Sequence, residues 1–140
     1  MSDGFTKAER EAMKERAAEL RAEKGGKKKA DNLQALLDKI EGLSGDEKKL
    51  AVALHQVVTR EAPGLDPRTW YGMQAYEKDG AVLVFLQLPS KFGTRYATLG
   101  FNDGAQLDDG DMWPTSYAIA ELTDGVRAQV ATLVRRAVAD

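Results

Sequence analysis

A group of aromatic residues, followed by a short basic segment, is the part of this sequence best suited to chemistry. The aromatic residues that fall on or beside predicted strands are Trp70, Tyr71, Tyr76, Phe85, Tyr96 and Trp113. The hydroxyl and cationic residues between the second and third predicted strands are Ser90, Lys91, Thr94 and Arg95. An apolar pocket with such donors at its mouth is typical of a site for a carboxylate or phosphate ligand. The alternative is that the aromatic residues form core and the cations face solvent.

The alternation of side chains along residues 70–76 indicates where such a site would lie. In one continuous strand the even-numbered residues share a face, and these are Trp70, Gly72, Gln74 and Tyr76. On that face Gln74 needs a hydrogen-bond partner, and Gly72 allows a backbone or a ligand to come close. We therefore expect a ligand site there, with the candidate residues Trp70, Gln74, Tyr76, Lys91, Arg95, Tyr96 and Trp113.

An acidic loop is the candidate for metal binding. Its carboxylates are Asp103, Asp108, Asp109 and Asp111. Oxygen ligands suit hard cations such as Mg²⁺, Ca²⁺ or ferric iron, although the spacing does not match an EF-hand. The alternative is turn chemistry, for which Asp and Gly are the usual residues. The single histidine, His55, lies in a predicted helix and supplies no His-rich site.

The sequence carries no recognisable catalytic motif. It has no cysteine, one histidine, no phosphate-binding glycine loop and no nucleophile elbow. We therefore assign no catalytic residue and predict a protein that is not an enzyme. The absence of cysteine fits a reducing compartment, so we expect a cytoplasmic location. No apolar run approaches the roughly 20 residues needed to span a bilayer, so we expect no membrane partner.

The first 29 residues form a charged arm. Residues 6–24 begin with a capping box, Thr6 and Glu9, and predict a helix with a thin apolar stripe at Ala8, Ala12, Met13, Ala17 and Leu20. A basic joint with two glycines and three lysines follows at residues 25–29. The first 30 residues carry a net charge of +3 and the remainder −5. The acidic body, and the lack of aromatic residues among the lysines, do not favour nucleic-acid binding.

Residues 30–140 predict a second region of mixed α and β structure. Two amphipathic helices at residues 31–41 and 44–62 precede a β-hairpin at residues 69–88, with a turn at Lys78, Asp79 and Gly80. Further strands are predicted at residues 95–101 and 115–122, and a helix at residues 126–138. Helices, then strands with short connections, then a helix favour an α+β fold. We expect an antiparallel four-stranded sheet with helices packed mainly on one face, and an extra N-terminal helix.

The order of these elements, with Trp-Tyr-Gly-Met-Gln-Ala-Tyr at residues 70–76, resembles the YdhG-like family of small bacterial domains of unknown function. In that family a helix pair leads into a Tyr-Gly-Met-Pro-Ala-aromatic segment, a strand, a Lys-containing loop, another strand and a C-terminal helix. The similarity covers roughly residues 30–138. One branch is regarded as frataxin-like and is credited with carrying iron, so the resemblance implies iron as a cargo.

The function that the sequence predicts is non-enzymatic binding or carrying of a small molecule or a metal, with Lys91 and Arg95 facing an anion. The alternative is an interaction module that docks a protein or nucleic acid through the basic N-terminal arm or an exposed face. The sequence leaves the identity of the ligand, the oligomeric state and the packing of the first helix open.

Overall fold

Helices and strands occur in blocks along the chain in a computed structural model, which describes residues 5–24 and 29–139. The helices of this described part are α1 (Lys7–Lys24), α2 (Lys29–Glu41), α3 (Gly45–Glu61), α4 (Pro89–Phe92) and α5 (Asp124–Ala137). Its strands are β1 (Asp66–Trp70), β2 (Met73–Lys78), β3 (Ala81–Gln87), β4 (Ala97–Phe101) and β5 (Ser116–Ile119). The predicted α+β class is confirmed.

The sheet is an antiparallel meander in the order β1-β2-β3-β4-β5, so the described residues form five strands and the prediction of four is wrong. The difference in strand number arises in residues 69–77, which we predicted to be one strand. Tyr71 and Gly72 have φ angles of 52° and 74° and reverse the chain between β1 and β2. Two successive positive φ angles are typical of the two-residue hairpin turns that match strand twist. The predicted turn at Asp79 and Gly80 is confirmed.

The predicted long helices all occur, and their N-termini differ in how they are capped. Thr6 and Glu9 form the expected capping box, each side chain accepting the other residue's backbone N–H. Ser44 is the N-cap of α3 but makes no side-chain capping bond to the described residues. Helix α2 begins at Lys29, two residues before the predicted start, and Asp31 lies in its first turn.

One face of the sheet forms the core with α2, α3 and α5. The strand register aligns Tyr76, Val84 and Phe101 in one row, and places Leu86 beside Leu99 in the next. The buried helix residues in the same cluster are Leu36, Ile40, Ala51, Leu54, Val57, Val58, Val130, Ala131, Val134 and Ala137. These helices therefore cover one face, and the buried sheet residues on that face are apolar except at Gln74 and the hydroxyl of Tyr76.

The opposite face carries an aromatic pair. Phe85 pairs with Gly100 across β3 and β4, and the ring of Trp70 lies 5.4 Å from that of Phe85. The phenyl ring covers Gly100 so closely that a Cβ there would lie 2.2 Å from Phe85 Cζ. An aromatic ring over a strand glycine replaces the packing that the glycine itself lacks.

We expect Gly100→Ala to lower the free energy of unfolding by about 1 to 3 kcal/mol, because the methyl group forces the Phe85 ring out of its position. Urea denaturation measures this change. Gly64→Ala is the control, since a Cβ at Gly64 has no described atom within 4 Å. Equal effects of the two substitutions would contradict the packing of Phe85 on Gly100.

Candidate functional site

The turn between β1 and β2 receives a carboxylate through its backbone. The N–H of Tyr71 donates to Glu19 Oε1 at 3.1 Å, and the N–H of Gly72 donates to Glu19 Oε2 at 3.2 Å. Adjacent backbone N–H groups in a turn form a concavity that binds anions. The turn is therefore an anion receptor, and its occupant is a side chain of α1.

Two lysines complete this receptor beside the turn. Lys39 Nζ lies 3.1 Å from Glu15 Oε2, and Lys91 Nζ lies 2.5 Å from Glu15 Oε1. The carboxylate rests directly on Gly72, because a Cβ there would lie 1.5 Å from Glu15 Oε2. We call the backbone N–H groups of Tyr71 and Gly72 together with the ammonium groups of Lys39 and Lys91 the anion cradle.

Short-range features of the sequence position both lysines. Lys91 lies in the single turn of α4, which starts at Pro89 and ends at Gly93 with a φ of 70°. Pro suits the start of a helix and Gly suits its left-handed end. Lys39 is next to Ile40 on α2, and the side chain of Ile40 enters the core. Lys39 therefore lies at the rim of the interface between α2 and the sheet.

A third carboxylate of α1 meets a buried arginine on β1. Arg68 forms ion pairs with Glu23 and with Glu77, the latter at 3.2 Å, and its side chain is 8% exposed. Burial lowers the pKa of Arg68, but the hydrogen bonds and charges of Glu23 and Glu77 outweigh it and the pKa is raised. The guanidinium therefore remains charged, and α1 contacts the body through carboxylates on three successive turns.

Helix α1 turns its larger apolar residues away from the body. Met13 is 42% exposed and Leu20 is 44% exposed, while Ala12 is the residue of α1 that is buried among those described. The apolar stripe that we read from the sequence is therefore divided: Ala12 is on the docked side, whereas Met13, Ala17 and Leu20 are exposed. Burial raises the pKa of Glu15, but hydrogen bonds and charges of Lys91 and Lys39 outweigh it, so the pKa lies below its usual value. Charge, rather than apolar area, holds this helix.

A small hollow lies next to the anion cradle, between α2 and the sheet. Its volume is about 50 Å³, and its apolar walls include Leu36, Ile40 and Leu86. Gln74, which is 6% exposed, also lines it. Gln74 Nε2 donates to the carbonyl of Ala51, which fixes the amide orientation because a carbonyl only accepts. Gln74 Oε1 is buried and has no hydrogen-bond partner among the residues that the structure describes.

Behind Gln74 lies a polar chain that ends at the single histidine. Gln74 Nε2 donates to Tyr76 Oη at 2.8 Å, and Tyr76 Oη lies 2.8 Å from His55 Nδ1. Because the hydroxyl accepts from Gln74, its own proton is free to donate to His55, which requires a neutral imidazole at Nδ1. Burial lowers the pKa of His55 and raises that of Tyr76. The histidine is thus a structural acceptor.

We expect this pair to make stability depend on pH. The folded pKa of His55 lies below 6.5, so the unfolded chain binds the proton more readily. The contribution of His55 to the free energy of unfolding is therefore complete above about pH 6.5. It is lost as the pH falls through the folded pKa. Urea unfolding at pH 7.5 and 5.5 should show lower stability at pH 5.5, with a smaller difference in His55→Gln. An equal difference in the two proteins would contradict the neutral histidine.

The structure brings together part of the site predicted from the sequence. Gln74 and Lys91 line the same hollow with Gly72, and Tyr76 is bonded to Gln74. Trp70 is on the opposite face, since the turn at Tyr71 interrupts the alternation on which its placement depended.

The other predicted residues lie apart from the anion cradle. Arg95 and Tyr96 line a different hollow of about 310 Å³ beside the start of α3, and the guanidinium lies 5.1 Å from the centre of the Tyr96 ring. Trp113 packs against the edge of the core. Asp103, Asp108, Asp109 and Asp111 are all exposed. In the described part of the chain no three or more His, Asp or Glu residues are grouped so that they could hold a metal ion.

Several residues of the anion cradle, its occupants and the neighbouring ion pair of α1 with β1 were missed by sequence reasoning. They are Glu15, Glu19, Glu23, Lys39 and Arg68. A signal was present, because the three glutamates recur every fourth residue and so line one side of a helix. Their partners on other elements have no such local signature.

Comparison of the chain with protein-family models, with curated proteins and with solved structures finds no match. The resemblance to the YdhG-like family therefore stays a prediction. No helix in residues 5–24 or 29–139 combines the length and the apolar character needed to cross a membrane.

Proposed function

We propose that this chain is a non-enzymatic binding domain, and that its ligand is a small molecule with a carboxylate or phosphate group that binds in the anion cradle. One observation carries the proposal: the Glu15 carboxylate rests on the bare backbone of Gly72 and contacts Lys39 and Lys91. The Glu15 and Glu19 side chains stand for the ligand's anionic group. Charge-assisted bonds from Lys and from backbone N–H groups are the strong contacts of such sites.

The neighbouring hollow narrows the class of ligand. Its volume of about 50 Å³ is a few times the roughly 10 to 15 Å³ that a cavity needs to hold one water. The rest of the ligand beside its anionic group is therefore small. Gln74 Oε1 lacks a donor among the described residues, so a hydroxyl or amine on the ligand would satisfy it. A short hydroxy acid, an amino acid or a hydrogen phosphate has this combination.

Iron, the cargo implied by the resemblance, has less support from the geometry. The carboxylates nearest the anion cradle are engaged by cations and backbone N–H groups, and the described residues show no cluster of metal ligands. The positive charges of Lys39 and Lys91 favour an anion over a metal cation. Iron salts are therefore tested in the experiment below as the alternative to an anionic ligand.

The experiment is isothermal titration of the full chain carrying Glu15→Ala with Glu19→Ala, which removes both side chains that occupy the anion cradle. We expect malate to bind more tightly than succinate, because the two differ by the hydroxyl that reaches Gln74. Adding Lys91→Gln should weaken malate binding about tenfold or more, because a charged hydrogen bond to the ligand is lost. Lys78→Gln, on the exposed end of β2, is the control and should leave malate affinity unchanged.

Two results would contradict the proposal. One is the absence of binding by malate, succinate and inorganic phosphate at millimolar concentration. The other is equal loss of affinity in the Lys91→Gln and Lys78→Gln proteins, which would indicate non-specific attraction of anions. Binding of ferrous or ferric iron with no response to these anions would favour the metal carrier instead.

A second candidate function is protein interaction through the outer side of α1. Met13 and Leu20 lie one above the other on that side and are exposed. Exposed apolar residues at helical spacing suit an amphipathic contact with a groove on a partner. Cross-linking in cell extract should yield specific adducts that are lost in the Met13→Ser, Leu20→Ser protein. Unchanged adducts would exclude this surface.

The lysines at residues 27 and 28, which the nucleic-acid alternative uses, are outside the described residues.

A further inference from the structure

We propose that α1 is an autoinhibitory arm, whose carboxylates fill the anion cradle until a ligand displaces them. This inference rests on the proposed function and assigns the regulation of the same site. It concerns a competition within the chain: the arm and the ligand use the same donors and the same space.

Geometry makes docking of α1 and binding of a ligand mutually exclusive. Glu15 lies against Gly72 and takes hydrogen bonds from Lys39 and Lys91. Glu19 takes both backbone N–H groups of the turn. A ligand carboxylate that makes these bonds must occupy the volume of the glutamate oxygens. Both glutamates, one helical turn apart, therefore have to leave together.

The contacts of α1 are of a kind that a small anion can replace. Its docked side buries Ala12 and otherwise consists largely of glutamates paired with cations and backbone N–H groups. Helix α5, by comparison, buries Val130, Ala131, Val134 and Ala137. Partly exposed ion pairs contribute little net stability, because each charge is also well solvated when free. Helix α1 can therefore leave without opening the core.

The ions left behind remain compensated after release. Arg68 keeps its ion pair with Glu77, so the buried guanidinium is not left alone when Glu23 departs. Lys39 and Lys91 pair with the ligand instead of Glu15. An uncompensated buried charge would be the main obstacle to undocking, and the arrangement on β1 and β2 avoids it.

Competition by a tethered arm raises the ligand concentration that is needed to fill the anion cradle. A tethered group acts at an effective concentration that reaches the millimolar range for short flexible linkers. The apparent dissociation constant of the ligand is its intrinsic value divided by the fraction of chains with an open site. Removing the competing carboxylates should therefore raise affinity without any new contact to the ligand.

The test compares three full-length proteins: wild type, Glu15→Ala with Glu19→Ala, and Glu11→Ala. Glu11 is exposed on the same helix, so its replacement removes one negative charge and introduces one Ala without touching the anion cradle. Isothermal titration with malate gives affinity. Amide hydrogen exchange of residues 7–24, with and without malate, reports release of α1, while exchange in β3 and α5 reports that each variant is folded.

We expect the double variant to bind malate at least about tenfold more tightly than wild type, and Glu11→Ala to bind like wild type. In wild type, saturating malate should accelerate exchange in residues 7–24 and leave β3 and α5 unchanged. In the double variant, fast exchange in α1 should already be present without malate.

The two proposals fail in different ways. Equal malate affinity in wild type and the double variant, with slow exchange of α1 retained in the complex, would overturn autoinhibition and leave the binding function intact. Absence of malate, succinate and phosphate binding in the double variant would overturn the binding function, and autoinhibition with it. An equal gain of affinity in Glu11→Ala would also overturn autoinhibition, because it would show a general effect of charge.

Discussion

The reversal of the chain at Tyr71 and Gly72 is the constraint on which the other features of this structure depend. Positive φ angles at both residues close β1 onto β2, so that Thr69 pairs with Gln74 and Trp70 with Met73. That register places Gln74 and Tyr76 under the helices and leaves Trp70 on the other face. The same turn directs two backbone N–H groups at the carboxylate of Glu19. Because Gly72 has no side chain, a second carboxylate, that of Glu15, has space to lie against it.

Two kinds of packing surround this turn. Helices α3 and α5 bury apolar side chains against the sheet, and that area stabilises the fold in proportion to the surface removed from water. Helix α1 is held by charges and hydrogen bonds, and water competes for the partly exposed ion pairs of Glu15 with Lys39 and Lys91. Regions with few buried apolar contacts open at lower free energy than the core. The fold thus combines a stable body with a helix whose attachment depends on electrostatics.

A polar chain links β2 to α3 inside the body. Gln74, Tyr76 and His55 form a hydrogen-bonded row within an otherwise apolar interface. Buried polar groups are costly unless paired, and here the amide N–H groups and the hydroxyl have partners. The exception is Gln74 Oε1, on the residue that also borders the anion cradle. An unsatisfied acceptor at that position is consistent with a site whose ligand supplies the donor.

The sequence by itself determined the elements whose signals are local. Capping residues and apolar spacing located the long helices, and Asp79 with Gly80 located one hairpin, because those patterns act within a few residues. Gln74 and Lys91, which line the same hollow, were also named as candidate site residues from their types. The tertiary structure alone decided which side of α1 docks, that Trp70 and Arg95 lie apart from Lys91, and that five strands form. The physical reason is range: Glu19 binds a turn 52 residues away and Glu15 pairs with a lysine 76 residues away. Charge pairing over such separations depends on how the whole chain is arranged, and no local pattern records it.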